Sequence, residues 1–359
     1  MTLYFFRILP APLLDLTLSL RRWYLIGLVI CISGILPFFW LLLDPETKAK
    51  NTITLLACIS QVGALLMLLA ATGFMVRCIS PEKMGRAAGC YQVGITGGYG
   101  LALLGALAIK SNISWHAVFV SQIVLMLTGI IALYLLPAVR AEKTQPFKAA
   151  VTKTLSDARS WFGSRKGIFI TLMALSPIGL GSATVGWSNG MQQYAIPDNE
   201  IRLIIGPLSI GCSLVGYLVG GWASDRHGRW NTWLGVGSLL ALMALLIAFC
   251  PYIPWLFDAG ILVYTILSGC CLAAFWAILI QAVSPRLAVT KITLLSMLIG
   301  VAVNYTKDLN GWICDNFSFQ FMLIAEALLS FICIGVALLL KRRLRRSGPE
   351  EFSPDVPTN

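Results

Sequence analysis

Charged side chains are scarce in this sequence: Asp, Glu, Lys and Arg make up only 12% of its 359 residues, about half the usual share in a soluble domain. Histidine occurs only twice, and no two cysteines have the CxxC spacing of a metal or redox site. No G-x-x-x-x-G-K-[ST] loop for ATP is present either. The scarcity of charge excludes a soluble enzyme and a nucleic-acid module, and the missing ATP loop argues against an ATP-driven pump. We expect no cofactor and no metal.

Long apolar stretches are what the sequence has in abundance. Hydrophobic residues make up 57% of the chain, and its mean hydropathy is +0.79. Because backbone polar groups in lipid must be satisfied within the segment, each stretch of about 20 apolar residues is predicted to be a helix. The sequence therefore predicts an all-α polytopic membrane protein, with the lipid bilayer as its partner. The ten predicted spans are 23–43, 52–76, 87–109, 116–137, 167–193, 203–222, 231–250, 255–280, 290–311 and 320–340.

The basic residues set the orientation of these spans. With ten spans, 21 Lys and Arg residues fall on one side and 5 on the other, and Arg7 is left unassigned. The basic side is predicted to be cytoplasmic, and it includes the C-terminus. The positive-inside distribution of Lys and Arg therefore explains the net charge of +11, and we expect no nucleic-acid partner.

One long break divides the chain. Residues 140–165 form a predicted cytoplasmic loop between an N-terminal half, 1–139, with four spans and a C-terminal half, 166–347, with six. The polar tail 348–359 contains three prolines and is predicted to be disordered.

A short pattern occurs twice, 210 residues apart. In each copy an apolar helix ends with an Asp, which is followed by two basic residues and by an aromatic residue that begins the next helix. Internal repeats of this kind are typical of transporters built from two related halves. The first copy contains Asp15, Arg21 and Arg22, and the second contains Gly221, Asp225, Arg226, Gly228 and Arg229.

The second copy resembles the G-x-x-x-D-R-x-G-R loop of the major facilitator superfamily. In that family the loop joins helices two and three of each six-helix half, and its charges clamp helix ends in one state of alternating access. The resemblance implies a two-half helical bundle that transports a small-molecule solute, and not an enzyme. A basic loop that only sets topology is the alternative interpretation.

Aligning the two copies makes residues 1–14 similar to the end of helix two of the family. Helix one and most of helix two are then lacking, and about ten helices are expected. Three interpretations stay open: a truncated gene, a degraded relative that no longer transports or has a regulatory role, and a genuine ten-helix variant.

Two further stretches resemble AmpG-like muropeptide permeases and ferri-siderophore permeases. They are Leu-Pro-Ala-Pro-Leu-Leu-Asp at 9–15 and Val-Arg-Cys-Ile-Ser-Pro at 76–81, the latter followed by Gly85 and Arg86. The resemblance implies an inner-membrane permease, monomeric and coupled to protons. Those relatives usually carry Asp before the second stretch, where this chain has Ala-Thr-Gly-Phe at 71–74, so that coupling residue is not carried over.

Polar side chains within the spans are candidates for a solute pathway. On a regular helix Ser182, Asn189 and Gln193 share one face with Gly186, and Trp187 adds aromatic surface. This face lines either a cavity or a hydrogen-bonded contact between helices. Gln92 belongs to a span in which Gly94, Gly98, Ala102 and Ala106 recur every four residues; the spacing predicts a close helix contact, with Gln92 facing the cavity as the functional alternative.

Three ionisable residues near the last two spans are candidates for coupling. Glu326 lies about two turns into the last span, where it could carry a proton or make a structural hydrogen bond. Lys307 and Asp308 lie near the outer end of the preceding span. Lys307 could contact an anionic ligand, or the two could form a surface ion pair.

The leading hypothesis is thus a proton-coupled transporter of a muropeptide or ferri-siderophore. The rivals are a remnant that does not transport and a polytopic membrane enzyme. Such an enzyme needs clustered acids or histidines at a membrane face, which this sequence lacks.

Overall fold

The computed structural model describes residues 10–43, 50–112, 115–135, 156, 159–251, 253–283 and 288–347. These residues are largely helical, and no β-strand occurs among them. The predicted tail 348–359 and most of the predicted loop 140–165 lie outside them. The α-helices are α1 (Ala11–Leu16), α2 (Leu20–Leu43), α3 (Lys50–Cys78), α4 (Met84–Asn112), α5 (Trp115–Leu135), α6 (Arg165–Ala174), α7 (Trp187–Gln193), α8 (Asp198–Leu203), α9 (Ser209–His227), α10 (Arg229–Ala248), α11 (Pro254–Ala282), α12 (Ala288–Asn316) and α13 (Phe319–Ser347).

Seven helical segments are long and apolar enough to cross a membrane, counted within the described ranges. The prediction of an all-α membrane protein with several spans is therefore confirmed. The seven segments are Leu20–Pro37, Asn51–Cys78, Asp198–His227, Arg229–Ala248, Pro254–Ala282, Ala288–Asn316 and Phe319–Arg342.

The chain divides into two compact units, and the unit boundaries cut through α4 and α12. Unit 1 contains Met1–Ile79, Leu101–Ala158 and Val283–Leu294, and unit 2 contains Ser80–Gly100, Arg159–Ala282 and Leu295–Asn359. The beginning of α4 thus belongs to unit 2, and the beginning of α12 belongs to unit 1.

Unit 1 is organised around the contact between α2 and α3. The two backbones approach so closely that a Cβ on Gly63 would lie 2.3 Å from the backbone nitrogen of Cys31. Leu14, Leu20, Leu69 and Phe74 are buried in the same apolar core. Small residues allow this approach in lipid, where dispersion contacts between helices replace the hydrophobic effect as the source of stability.

Unit 2 has its core between α11, α13 and the segment that precedes α8. Trp187, Phe257, Tyr264 and Phe319 are almost completely buried there. The ring of Tyr264 is edge-on to Trp187 at 5.1 Å, an arrangement that aromatic pairs prefer.

The helix contact predicted from the spacing of small residues in α4 forms on a different face. Among the described residues, no atom lies within 4 Å of a Cβ placed on Gly94 or Gly98. Gly85 and Gly89 lie against α9 instead, where a Cβ on Gly89 would be 2.4 Å from the carbonyl oxygen of Tyr217. The prediction for Gly94 and Gly98 is wrong because glycine also recurs on a second face of α4, and that face packs.

The predicted span 167–193 is not one continuous helix. It breaks after α6, resumes as a 3-10 turn at Ser182–Gly186 and then continues as α7. Pro177 lies in the break, and Gly179 and Gly181 have φ values of +76° and +65°. Proline cannot donate a helical hydrogen bond and positive φ does not fit a right-handed helix, so these residues interrupt it.

Candidate functional site

The carboxylate of Asp15 lies on the first turn of α12. The N–H of Thr290 donates to its Oδ2 at 2.9 Å, as does the Thr290 hydroxyl, and the N–H of Val289 donates to Oδ1 at 3.3 Å. The guanidinium of Arg77 is 2.7 Å from Oδ1, and the Asp15 side chain is only 1% exposed. Burial raises the pKa of the Asp15 carboxyl, while the Thr290 N–H and the Arg77 charge act in the opposite direction. The free N–H groups of a helix start favour a negative charge at this position.

Asp225, at the corresponding place in the second copy, lies on the first turn of α4. Its two carboxylate oxygens accept the N–H groups of Gly85 at 2.7 Å and Arg86 at 2.9 Å. The Arg86 guanidinium is 3.8 Å away and largely exposed. A Cβ on Gly85 would lie 2.4 Å from the carbonyl oxygen of Gly221, so glycine is required where the helices meet. The repeated sequence pattern therefore corresponds to a repeated structural contact, an Asp on the N-terminus of another helix.

The other loop residues divide into contacting and exposed side chains. Arg229 is buried, and its Nη2 donates to the carbonyl oxygen of Pro81. Arg226 is exposed and lies over the ring of Trp222 at 5.3 Å. Arg22 is exposed, and Arg21 is half-buried. Their conformational role stays a prediction.

Gly228 connects α9 to α10 with φ +85° and ψ 135°, a conformation that residues with a Cβ rarely adopt. We expect Gly228→Ala to lower the free energy of unfolding by about 2 kcal/mol because the alanine would be strained in the folded state. Thermal and denaturant unfolding in detergent measure this. Gly235→Ala is the matched control, since that glycine is exposed and no atom of the described part of the chain lies within 4 Å of a Cβ placed there. Equal stabilities of the two variants would contradict the prediction.

Sequence reasoning did not assign site roles to the partners of the two Asp residues. Arg77, Gly85 and Arg86 belong to stretches that resemble the family, and that resemblance was the only available signal for them. Nothing in the sequence marks Thr290, which lies 275 positions from Asp15. Contacts over such separations depend on which helices become neighbours in the fold.

The predicted pathway residues are not on one face. Ser182 and Trp187 are buried at 1% exposure, whereas Asn189 and Gln193 are exposed. The prediction of a shared face is wrong because residues 182–186 form a 3-10 turn. With 3.0 residues per turn instead of 3.6, that turn shifts the later side chains by roughly 80° around the axis.

Trp187 and Gln92 are both buried in the structure. Trp187 is part of the core of unit 2, and its indole N–H has no hydrogen-bond partner among the described residues. Gln92 is 7% exposed, next to the Tyr91 ring that contacts Trp276 at 5.2 Å. Of the five predicted pathway residues, Asn189 and Gln193 are the two exposed ones.

Glu326 of α13 is buried and is held by donors from three other segments. Ser182 donates to its Oε2 at 3.2 Å, the amide of Asn310 on α12 donates to the same oxygen, and the hydroxyl of Tyr264 on α11 donates to Oε1. No Lys, Arg or His of the described residues lies within 4.0 Å of this carboxylate. A carboxyl group in such a place can hold a charge only through hydrogen bonds, or else bind a proton.

Lys307 and Asp308 do not pair with each other. Lys307 is half-buried and Asp308 is exposed, and the two side chains are not within 4.0 Å. The surface ion pair that the sequence suggested is therefore not formed. A contact of Lys307 with an anionic ligand stays a prediction.

A comparison with protein families assigns the chain as a whole. The sequence profile of the Major Facilitator Superfamily matches residues 2–304. The chain belongs to this superfamily. It is a multi-pass membrane protein of a family that transports small-molecule solutes across the lipid bilayer, and it is not an enzyme.

Solved structures of superfamily members have the same fold. The E. coli fucose:proton symporter FucP has a TM-score of 0.73 at 13% identity, over 93% of this chain and 87% of FucP. The human organic anion transporter MFSD10 has a TM-score of 0.68 at 14% identity, over 92% of this chain and 80% of its own. The proton:xylose symporter XylE has a TM-score of 0.59 at 12% identity, over 88% and 78% of the two chains.

No curated protein matches the sequence significantly. At identities of 12% to 14%, the structural likeness establishes the fold and leaves the solute open. The solute must therefore be inferred from side chains of this chain.

Proposed function

We propose that this superfamily member is a monomeric, proton-coupled secondary transporter of a bacterial inner membrane, with its C-terminus in the cytoplasm. It moves a polar solute by alternating access. The observation that carries the proposal is the pair of Asp contacts, Asp15 on the start of α12 and Asp225 on the start of α4. A protein that had lost its conformational cycle would have little reason to keep two such contacts in equivalent places.

The two contacts can form in one state and break in another. Each joins an Asp to free N–H groups at a helix start, so moving that helix by a few ångströms removes the hydrogen bonds without breaking any helix. Water can replace the lost donors at a membrane face, which keeps the energy difference between the states small. We infer that Asp15 and Asp225 stabilise the same state of the cycle.

The membrane topology has ten spans in this proposal. Beside the seven apolar segments, α4, α5 and the interrupted segment from α6 to α7 cross the bilayer. The interrupted segment contains a break of the kind that transporters use where irregular backbone lines a cavity. The distribution of basic residues places the C-terminal end of the last span in the cytoplasm.

The solute is a sugar-containing peptide or a siderophore in this proposal. The exposed side chains of α7 include Asn189, Gln192 and Gln193, which are neutral amides that both donate and accept hydrogen bonds. Such groups suit hydroxyl-rich and amide-rich solutes better than multivalent anions. FucP and XylE are named as symporters of fucose and xylose with protons, which is in keeping with a proton-coupled, hydroxyl-rich solute.

Ligand binding to the purified chain tests this function. Anhydro-muropeptides, ferric siderophores and, as an unrelated class, acyl-CoAs are added while thermal unfolding is followed. A ligand at about 100 times its Kd should add about 2.7 kcal/mol to the free energy of unfolding. We expect stabilisation by one of the first two classes, and at least a tenfold weaker affinity in Asn189→Ala.

The control is Asn199→Ala, which makes the same exchange at an exposed residue of α8 and should bind as the parent chain does. A folded chain that is stabilised by none of the compounds would support the non-transporting remnant instead. Stabilisation that survives Asn189→Ala unchanged would show that the solute binds elsewhere.

A further inference from the structure

Glu326 connects four of the segments that meet in the interior of unit 2. The carboxylate lies on α13, and its donors come from the 3-10 turn at Ser182–Gly186, from α11 and from α12. The surrounding side chains are apolar, and Met322 and Leu323 on the same helix are completely buried. Because no described cation neutralises the charge, three hydrogen bonds are its sole compensation.

Protonation of Glu326 changes the number of hydrogen bonds that its neighbours can make. The ionised carboxylate only accepts, and all three neighbours donate to it. A proton on Oε2 turns that oxygen into a donor that faces two donors, Ser182 and the amide of Asn310. The amide N–H of Asn310 cannot accept the new O–H, so the Ser182 hydroxyl is the group that must stop donating. Asn310 is fixed on the continuous helix α12, whereas Ser182 begins a short turn after an irregular stretch.

We propose that Glu326 is a proton-binding site that controls the position of the discontinuous segment 175–193 through its hydrogen bond with Ser182. This inference rests on the proposed transport function, for which it supplies the coupling residue. A proton from water forms an O–H bond at Oε2, and the Ser182 hydroxyl stops donating to that oxygen. Loss of the proton restores the contact and holds the segment against α13.

The same segment carries the exposed amides of α7. Asn189 follows Ser182 by seven positions, and Gly186 and Gly190 on the same segment pack against the Phe319 ring. On the other side of the break, the Tyr305 hydroxyl donates to the carbonyl oxygen of Leu175 at 2.7 Å, which fixes the end of α6. The part of the segment that can move is therefore the part after Gly179 and Gly181, which carries the exposed amides.

The neighbouring groups limit which residue can titrate. Facing Glu326 are Tyr264 from α11, Asn310 from α12 and Ser182 from the turn. Tyr264 is the titratable one among these three, and a phenol ordinarily ionises near pH 10. A pH-dependent change that is lost in Glu326→Gln would therefore belong to the Glu326 carboxyl group and not to the Tyr264 phenol.

Two measurements on the full-length chain test the inference without a solute. The first is infrared difference spectroscopy between about pH 5 and about pH 8. The C=O signal of protonated carboxyl groups should be smaller in Glu326→Gln than in the parent chain by the contribution of one group, and unchanged in Glu82→Gln, which changes an exposed Glu of the 3-10 turn Pro81–Lys83. A difference spectrum that is the same in Glu326→Gln and in the parent chain would overturn the proton site.

The second measurement is hydrogen exchange of residues 182–193, corrected for the intrinsic pH dependence of exchange. Exchange in the parent chain should be about fivefold faster at low pH than at high pH, because about 1 kcal/mol of local stability is lost with one hydrogen bond. Glu326→Gln should exchange at the fast rate at both pH values. Parent-chain exchange that does not change with pH would leave Glu326 a structural residue and overturn the inference.

Ser182→Ala is a second variant that tests the same connection if Glu326→Gln does not fold. It keeps the carboxyl group and removes the connection, so fast exchange at both pH values with an unchanged infrared band is expected. Slow exchange in this variant would overturn the role of Ser182. A positive outcome here with no ligand found above would leave the proton site standing without transport, and the reverse outcome would leave a transporter coupled elsewhere.

Discussion

Asp15→Ala is expected to lower the free energy of unfolding by about 3 kcal/mol, the cost of breaking a buried ion pair by removing one partner. The side chain of Asp15 is 1% exposed and that of Arg77 is 14% exposed, so the remaining guanidinium would have little water to replace the carboxylate. The N–H groups of Val289 and Thr290 also lose their acceptor at the start of α12. Denaturant unfolding in detergent measures the loss.

The matched variant is Asp225→Ala, which removes the equivalent residue of the second copy. It should cost only about 1 kcal/mol, the usual value for a lost helix N-cap, because the Arg86 side chain is already largely solvated. The two repeats should thus differ by about 2 kcal/mol although their sequences are alike. Equal losses would mean that the buried Arg77 contributes nothing beyond the helix start.

Arg77→Ala removes the ion pair with Asp15 and leaves the hydrogen bonds of Asp15 to the start of α12 in place. If the ion pair accounts for the difference between the repeats, this variant should lose about as much as Asp15→Ala loses beyond Asp225→Ala. A negligible effect of Arg77→Ala would assign the stability to the N–H groups of α12 alone.

The spans could be predicted from the sequence because lipid imposes one requirement on every crossing segment. Apolar length decides a helix such as α11, and the predicted 255–280 falls inside its observed bounds. The same rule fails where a span contains its own interruptions. Hydropathy averages over Pro177, Gly179 and Gly181, so it does not register that their backbone leaves the helix.

The two Asp contacts were accessible to sequence reasoning only in part. The pattern around Asp225 identifies the loop and its family, because spacing within one loop is local. Packing between distant segments decides which helix start binds the carboxylate. Gly85 and Asp225, for example, are 140 positions apart. Such long-range neighbours leave no periodic signal in a single sequence.

The pathway prediction failed for a geometrical reason. A face is defined by residues that repeat at 3.6 per turn, and the stripe from Ser182 to Gln193 crosses a turn that winds at 3.0. Ser182 therefore contacts the buried Glu326, while Gln193 is exposed. The side chains that the sequence grouped on one face thus divide between the surroundings of a buried carboxylate and an exposed surface of the same segment.

The helix pair α9 and α11 offers the sharpest steric test of the packing. A Cβ on Gly220 would lie 2.3 Å from the carbonyl oxygen of Cys270 and 2.4 Å from its Cα, and backbone atoms of a neighbouring helix cannot move aside as a side chain can. Gly220→Ala should therefore lower the free energy of unfolding by about 3 kcal/mol, the upper part of the range for overpacking.

Gly211→Ala on the same helix is the control. That glycine is exposed and has no described neighbour within 4 Å of a Cβ placed there, so alanine should stabilise the helix by about 0.5 to 1 kcal/mol. Opposite signs of the two changes in free energy of unfolding would exclude helix propensity as the cause, because both substitutions replace glycine by alanine in the same helix. Similar effects of the two variants would mean that α9 and α11 do not pack backbone to backbone. The position of Asp225, little more than a turn beyond Gly220 on α9, would then lose its support from α11.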